Sequence, residues 1–501
     1  MSNQQKQWGA IIVMIALFAM IAFVTNLCTP MATIIKNQGN ISNVLAQIGN
    51  YGNFFAYLFM GIPAGMLIAK YGYKKTALIG LVVGIVGILI QWYSGQLDAQ
   101  ENLGLVFTVY LIGAFIAGFC MCILNCVVNP MLNLLGGGGN KGNQLIQIGG
   151  VFNSSAAVAV YILMGALIGE VTKDTKIADA TPALMIALAI FVLAFVVIIF
   201  TKIEEPEQAP VQLDLIKGAM SHKHFALGAL GIFLYMGIEV GVPNFVQQYL
   251  GTDTQETLDK KHDVLQKYES GDLDLATATD QFILTYSDEA IFASQNPDTL
   301  AQLAKDRSKV SYQIENKEVT SASIAKTHSG LGIAGGTVGM LVAVYWFMML
   351  IGRLVGASIG SKVSSRAMIT TVSIATLVLV LFGMFAPTDV TVNFPGVDWG
   401  KLEMIWQPVP LGIFSFLLVG LCTSVMWGGI FNMAVEGLGK YTAIASGIFM
   451  TMVFGCAVMM FLQAQLADAI GYIQSYWVVV FCAAYLLFYA LIGSRVSKRE
   501  E

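Results

Sequence analysis

Charge is what this 501-residue sequence has least of. Asp, Glu, Lys and Arg make up 12% of it, about half of the roughly 25% usual in soluble domains. So thin a polar cover cannot clothe a water-soluble particle of this size, which excludes an ordinary cytosolic enzyme and a disordered chain. A basic surplus is missing too. Lys and Arg number 27 against 31 acidic residues, for a formal net charge of -4, so there is no positive field to hold nucleic acid. Histidine is scarce. His222, His224, His262 and His328 all fall in expected loops, which excludes a histidine relay across a membrane. The 7 cysteines all lie in apolar runs, so neither a structural disulfide nor a metal site is expected. Cys120, Cys122 and Cys126 read as small buried apolar residues. No nucleotide-binding motif is present. The run Gly136-Gly-Gly-Gly-Asn140 lacks a Gly-Lys-Ser/Thr ending and follows an apolar run, not a strand.

What is abundant is apolar sequence: 56% of residues, with a mean hydropathy of +0.70. Apolar runs of membrane-crossing length recur along the whole chain. The pattern predicts an all-α membrane protein with twelve spans, near 8–35, 45–69, 75–94, 103–135, 143–170, 180–201, 225–250, 332–360, 367–387, 409–436, 441–468 and 473–494. The first apolar run, Ile11 to Val24, reads as an uncleaved span. Basic residues orient the chain. Lys6, Lys70, Lys74, Lys75, Lys141, Lys202, Lys217, Lys223, Lys362, Arg366, Lys440, Arg495, Lys498 and Arg499 fall on one side, and only Lys36, Lys173, Lys176 and Lys401 in short loops on the other. Both termini are therefore expected in the cytoplasm.

Two polar segments divide the chain. Residues 202–224 form a Pro-containing linker between an N-terminal half, 1–201, and a C-terminal half, 225–501. Residues 251–326 form an acidic insert on the outer side. Leu258, Val264, Leu265 and Tyr268 mark one amphipathic helix in it, and Asn296-Pro297-Asp298 opens a second that runs to about Glu315. An extracytoplasmic helical cap is expected, able to cover the outer mouth or meet a partner there. The halves repeat. Gly61, Gly65, Ala69 and Lys75 match Gly352, Gly356, Gly360 and Arg366 at one constant offset. Two parallel six-span repeats around a midplane site form a transporter architecture.

These repeated residues also carry a resemblance. Gly61-Ile-Pro-Ala-Gly65 followed by Lys70-Tyr-Gly-Tyr-Lys74, Asn129-Pro130, Phe152-Asn153-Ser154 and Tyr235-Met-Gly-Ile-Glu239-Val-Gly come in that order. Tyr345-Trp346, Gly352-Arg353, Met426-Trp427 to Phe431 and Gly437-Leu-Gly-Lys-Tyr-Thr442 follow. The chain resembles the major facilitator superfamily, and within it the fucose permease and glucose/galactose transporter family. The resemblance implies two pseudo-symmetric six-helix halves and sugar uptake by alternating access, usually with proton symport, in the bacterial inner membrane. There are departures. Asn26 and Asn125 stand where that family carries acidic residues, and Gly150 stands where it carries a span-five Gln.

The residues that could carry chemistry are few. Glu239 lies about 21 Å along span seven, near the midplane, and is the candidate coupling group for H+ or Na+. Asn125 and Asn129 sit one turn apart, and their amides both donate and accept, as a neutral polyhydroxyl solute requires. Asn26, Asn53, Gln147, Asn153, Asn244, Gln247 and Asn432 are further candidate solute amides; Trp346 and Trp427 are candidate sugar-stacking rings. Arg353 and Glu436 are expected to pair and latch the inner gate. The expected function is a secondary active transporter of a small neutral, sugar-like solute, with or without a coupled cation and with no cofactor. A transport-deficient membrane sensor and a facilitated uniporter of another small polar metabolite are the alternatives. A membrane enzyme would need a clustered His, Asp or Cys constellation at the interface, and the sequence has none.

Overall fold

The computed structural model describes residues 8–39, 43–97, 99–168, 180–201, 214–287, 289–317, 319–360, 362–398 and 403–496. Linker residues 202–213, the terminal Lys6, Lys498 and Arg499, and the outer-loop Lys173, Lys176 and Lys401 lie outside them. The N-terminal half is built from α1 (Trp8–Gly39), α2 (Asn43–Ser94), α3 (Ala99–Leu135), α4 (Gly139–Ile168) and α5 (Thr181–Phe200). A short amphipathic helix, α6 (Asp214–Ser221), precedes α7 (Lys223–Gly251). Among the described residues, ten apolar helical stretches are long enough to cross a bilayer. One of them, Gly52–Ser94, runs 43 residues, about twice what a 30 Å core needs. It is two spans. Gly72 breaks α2 with φ 81°, a left-handed conformation that a side chain would strain. With α4 as the fifth, the spans number twelve, as the sequence predicts.

The C-terminal half continues through α12 (Gly335–Ile359), α13 (Ser365–Phe385), α14 (Leu411–Thr423), α15 (Met426–Val435), α16 (Thr442–Met452), α17 (Gly455–Ile470) and α18 (Trp477–Phe488). Spans ten and eleven are each broken near their middle, at Thr423–Met426 and Met452–Gly455.

Lipid tails give helices no hydrophobic reason to associate, so close approach and polar contacts do the work. α2 packs on α16 and α4 on α12, so each half clasps the other symmetrically. At the first contact a Cβ on Gly61 would come within 2.7 Å of the Gly447 carbonyl. At the second, a Cβ on Gly360 would sit 3.6 Å from that of Gln144. A cation also meets the last span of each half, although it is Lys74 and not Lys75, the residue the repeat matches to Arg366, that does so in the first. Lys74 donates to the Ile199 and Thr201 carbonyls at 2.9 and 2.8 Å, capping α5. Arg366 donates to the Ser494 carbonyl at 3.3 Å, beyond α18. Both cations meet orphan carbonyls at a helix C-terminus.

The insert is helical: α8 (Gln255–Glu269), α9 (Leu275–Leu284), α10 (Pro297–Glu315) and α11 (Ser321–Ile324). α8 and α10 are the two helices expected; α9 lacked a clear apolar stripe. Val264, Leu265, Phe282, Ile283, Leu303, Val310 and Ile314 form a small core of its own. The ends of the insert are zipped together, with Gly330 N–H on the Asp253 carbonyl at 2.8 Å and Ile333 N–H on Leu250 at 2.8 Å. Lys261 pairs with Asp253 at 2.6 Å, while His328 meets the Asp468 carbonyl at 3.1 Å.

One element was not expected. β1 (Thr391–Asp398) and β2 (Glu403–Pro410) form an antiparallel hairpin between spans nine and ten, with Val392 opposite Val409. Pro395 and Pro408 obscure its strand signal, since proline is confined to edge strands. With only two strands, every strand is an edge. The hairpin is held from outside its own sequence: Gln407 Oε1 accepts from Ala334 N–H at 3.2 Å, just before α12.

Candidate functional site

Polar side chains from six spans meet where the halves touch. The first cluster is a chain of hydrogen bonds. Trp427 Nε1–H, on α15, donates to Asn129 Oδ1 at 3.1 Å. Asn129 Nδ2 donates to the Asn125 carbonyl at 3.1 Å and to Asn125 Oδ1 at 3.4 Å. Asn125 Nδ2 donates to the Tyr57 hydroxyl on α2 at 3.0 Å. The chain thus joins span ten of one half to spans four and two of the other. Helical spacing explains it: Asn125 and Asn129 are one turn apart on α3 and share a face.

The second cluster surrounds Arg353 of α12. Its Nη1 donates to the Gly150 carbonyl at 2.8 Å, Asn153 Oδ1 at 2.9 Å and Ser154 Oγ at 2.7 Å, all on α4. Its Nη2 lies 3.7 Å from Glu239 Oε1 on α7. A Cβ on Gly150 would come 3.1 Å from the Arg353 side chain, so a larger residue there would crowd the guanidinium. Asn153 in turn donates to the Phe18 carbonyl of α1 at 2.8 Å. Tyr345 donates to the Glu239 carbonyl at 2.9 Å and lies 3.1 Å from Thr423 Oγ1. Tyr235, one turn before Glu239, links the clusters: its ring centroid is 6.2 Å from that of Trp427. Among the described residues these clusters hold one cation, Arg353, and one carboxylate, Glu239, with neutral donors and acceptors around them, a set that suits an uncharged polyhydroxyl solute and one exchangeable proton.

Several expectations are corrected. Arg353 does not pair with Glu436; it reaches Glu239 and span five, because α12 presents it to α4 rather than toward the end of α15. The Glu436 carbonyl instead meets His224 Nε2 at 2.9 Å. His224 itself is no loop residue. It lies in the first turn of α7 and is fully buried. Gln247 is exposed, and Gln248 makes the contact with Asn244, at 2.6 Å. The remaining candidates scatter. Asn26 donates to its own helix at Ala22, 2.8 Å away. Asn432 donates to Ser365 at 2.9 Å, near the start of α13. Gln147 reaches the Val425 carbonyl at 3.5 Å, and Asn53 is buried against Gly118. Trp346 packs edge-on to Tyr345. Among the described residues there is no group of three or more His, Cys, Asp or Glu placed to hold a metal ion, and six cysteines are buried and unbridged.

Tyr57 and Ser154 were not expected. Tyr57 had a sequence signal: Asn53, Tyr57, Gly61 and Gly65 recur every fourth residue, one face of α2. The Gly150 carbonyl had none, since backbone acceptors carry no residue type.

Comparison with known proteins bears on the fold and the class of the chain. The family model of the Major Facilitator Superfamily matches residues 13–259. A glucose/galactose transporter of Brucella abortus is 25% identical over 501 residues, covering 99% of this chain and 96% of that protein. A putative glucose/galactose transporter of Helicobacter pylori is 23% identical, covering 97% and 96%. The crystal structure of the E. coli fucose:proton symporter superposes with a TM-score of 0.68 at 16% identity, covering 98% of this chain and 100% of that one. With its two clasped six-span halves, and relatives of this kind along its whole length, the chain has the fold of, and is similar to, transporters of the Major Facilitator Superfamily.

Proposed function

We propose that the protein is a proton-driven transporter of a small neutral sugar in the bacterial inner membrane, with both termini cytoplasmic and the helical insert outside. The sugar class follows the relatives named for glucose and galactose, and the proton follows the symporter whose fold it shares. The observation that carries the reading is Arg353. It binds three oxygens of the other half while facing Glu239 of its own at 3.7 Å. Alternating access needs contacts between the halves that form in one state and part in the other. Coupling needs one such contact to depend on a proton. A proton on Glu239 removes the counter-charge from Arg353 and frees the guanidinium to change partners. The contacts of Gly61 with α16 and of Gln144 with α12 would then part at the cytoplasmic end. A sodium ion is disfavoured at this carboxylate because a fixed cation already faces it.

The test uses proteoliposomes with D-glucose and D-galactose. Glu239→Gln should abolish gradient-driven accumulation and spare counterflow exchange. If accumulation survives, Glu239 is structural and the coupling assignment fails. If the unsubstituted protein shows exchange alone, the protein is a uniporter.

A further inference from the structure

The chain from Trp427 to Tyr57 has a direction, and one residue sets it. An indole N–H can only donate. The atom of Asn129 that faces Trp427 must therefore be Oδ1, which leaves Nδ2 to face Asn125. That amino group donates to the Asn125 carbonyl at 3.1 Å and lies 3.4 Å from the Asn125 side-chain amide, which turns Oδ1 toward it and Nδ2 toward Tyr57. Reversing either amide would put N–H against N–H. The Tyr57 hydroxyl is thus an obligatory acceptor toward Asn125 and keeps its proton for another partner. No acceptor for that proton exists among the described residues, although the side chain is only 4% exposed. A buried donor without an acceptor is costly.

We propose that Tyr57 is the donor that reads one acceptor oxygen of the transported solute, with Trp427 acting through Asn129 and Asn125 as the positioning residue that holds this polarity. The inference rests on the sugar-transport reading and deepens it. The ligand is a neutral polyhydroxyl, and the atom read is a hydroxyl or ring oxygen that an analogue can lack. The chain also crosses between the halves, so solute recognition at Tyr57 is tied to the position of span ten.

The experiment measures competition against D-galactose and D-glucose uptake by the full chain in proteoliposomes. The competitors are each sugar's monodeoxy analogues and its sulfur-for-ring-oxygen analogue. Tyr57→Phe should weaken the parent sugar about tenfold, the scale of one lost hydrogen bond, and leave unchanged the single analogue that lacks the oxygen read. Trp427→Phe should weaken the same pair in the same pattern, and the double variant should lose no more than Tyr57→Phe alone. Asn125→Asp keeps the tyrosine but can accept its proton, so it should reproduce the selectivity of Tyr57→Phe. Equal weakening of all analogues, or of none, overturns the proposal while the sugar reading stands. If the unsubstituted protein takes up neither sugar, both fall.

Discussion

Arg353 shows how much one side chain is asked to hold. Its Nη1 serves three oxygens of α4, and its Nη2 faces Glu239. A lysine has the same charge but no planar fork, so it cannot serve Gly150, Asn153, Ser154 and Glu239 together. Arg353→Lys is expected to cut the maximal uptake rate at least tenfold, while the thermal midpoint in detergent changes little. Arg353→Ala differs in kind. It leaves Glu239 without its counter-charge inside the membrane, a loss of about 3–5 kcal/mol, and should lower that midpoint by several degrees. A lysine variant that transports normally would show that the fork has no part in the cycle. Gly150 belongs to the same argument: a residue without a side chain lets the guanidinium reach the backbone.

At the scale of elements, the insert behaves as a unit. It has its own core, and its ends meet through the paired strands of backbone at 249–253 and 330–333. Chain closure across its base is therefore short. Replacing residues 255–328 by a few Gly and Ser residues should leave the twelve spans folded, shown by a monodisperse elution profile and retained counterflow. Aggregation of that variant would show that the cap is integral to the fold. Within the insert, Glu269 at the end of α8 accepts from the Ser321 N–H at 2.9 Å and from the Ser321 hydroxyl. These bonds hold its carboxyl below the ordinary glutamate value. A lowered folded-state value means the tie between α8 and α11 is present above the ordinary value of about 4.3 and is lost as pH falls through the lowered one. Exchange of the 322–325 amides, corrected for its intrinsic pH dependence, should therefore speed up below about pH 4. In Glu269→Gln it should already be fast at neutral pH and stay level on acidification. Exchange that remains slow in that variant would rule out the carboxylate as the tie.

At the scale of the molecule, the halves are clasped at one end. That end carries Lys74, Lys75, Lys362 and Arg366, opposite the insert. α2 meets α16 and α4 meets α12 there, and Gln144 Nε2 donates to the Ala357 carbonyl at 2.7 Å. The 3.6 Å between Gln144 Cβ and a Cβ built on Gly360 is within the span a disulfide bridges. Gln144→Cys with Gly360→Cys should cross-link on mild oxidation, stop uptake, and recover it with reductant. Free transport in the oxidised pair would mean that this end never opens in the cycle. The six described native cysteines are all buried, which keeps the background low.

Composition and periodicity alone determined the class, the twelve spans, the twofold repeat and the two longer helices of the insert. These are local properties, written in runs of apolar residues and in a constant offset between glycines. Glu239 and Arg353 were also legible, because a charge in an apolar span is costly enough to be conspicuous. Only the tertiary structure decided whom they meet. Arg353 lies 200 residues from Asn153 in the chain, and its choice of Glu239 over Glu436 depends on how α12 is rotated against α4 and α7. Packing between distant spans sets that rotation. The direction of the Trp427–Asn129–Asn125–Tyr57 chain was hidden for the same reason. Amides have no polarity in a sequence, and acquire one only when a donor-only indole from the other half is brought against them.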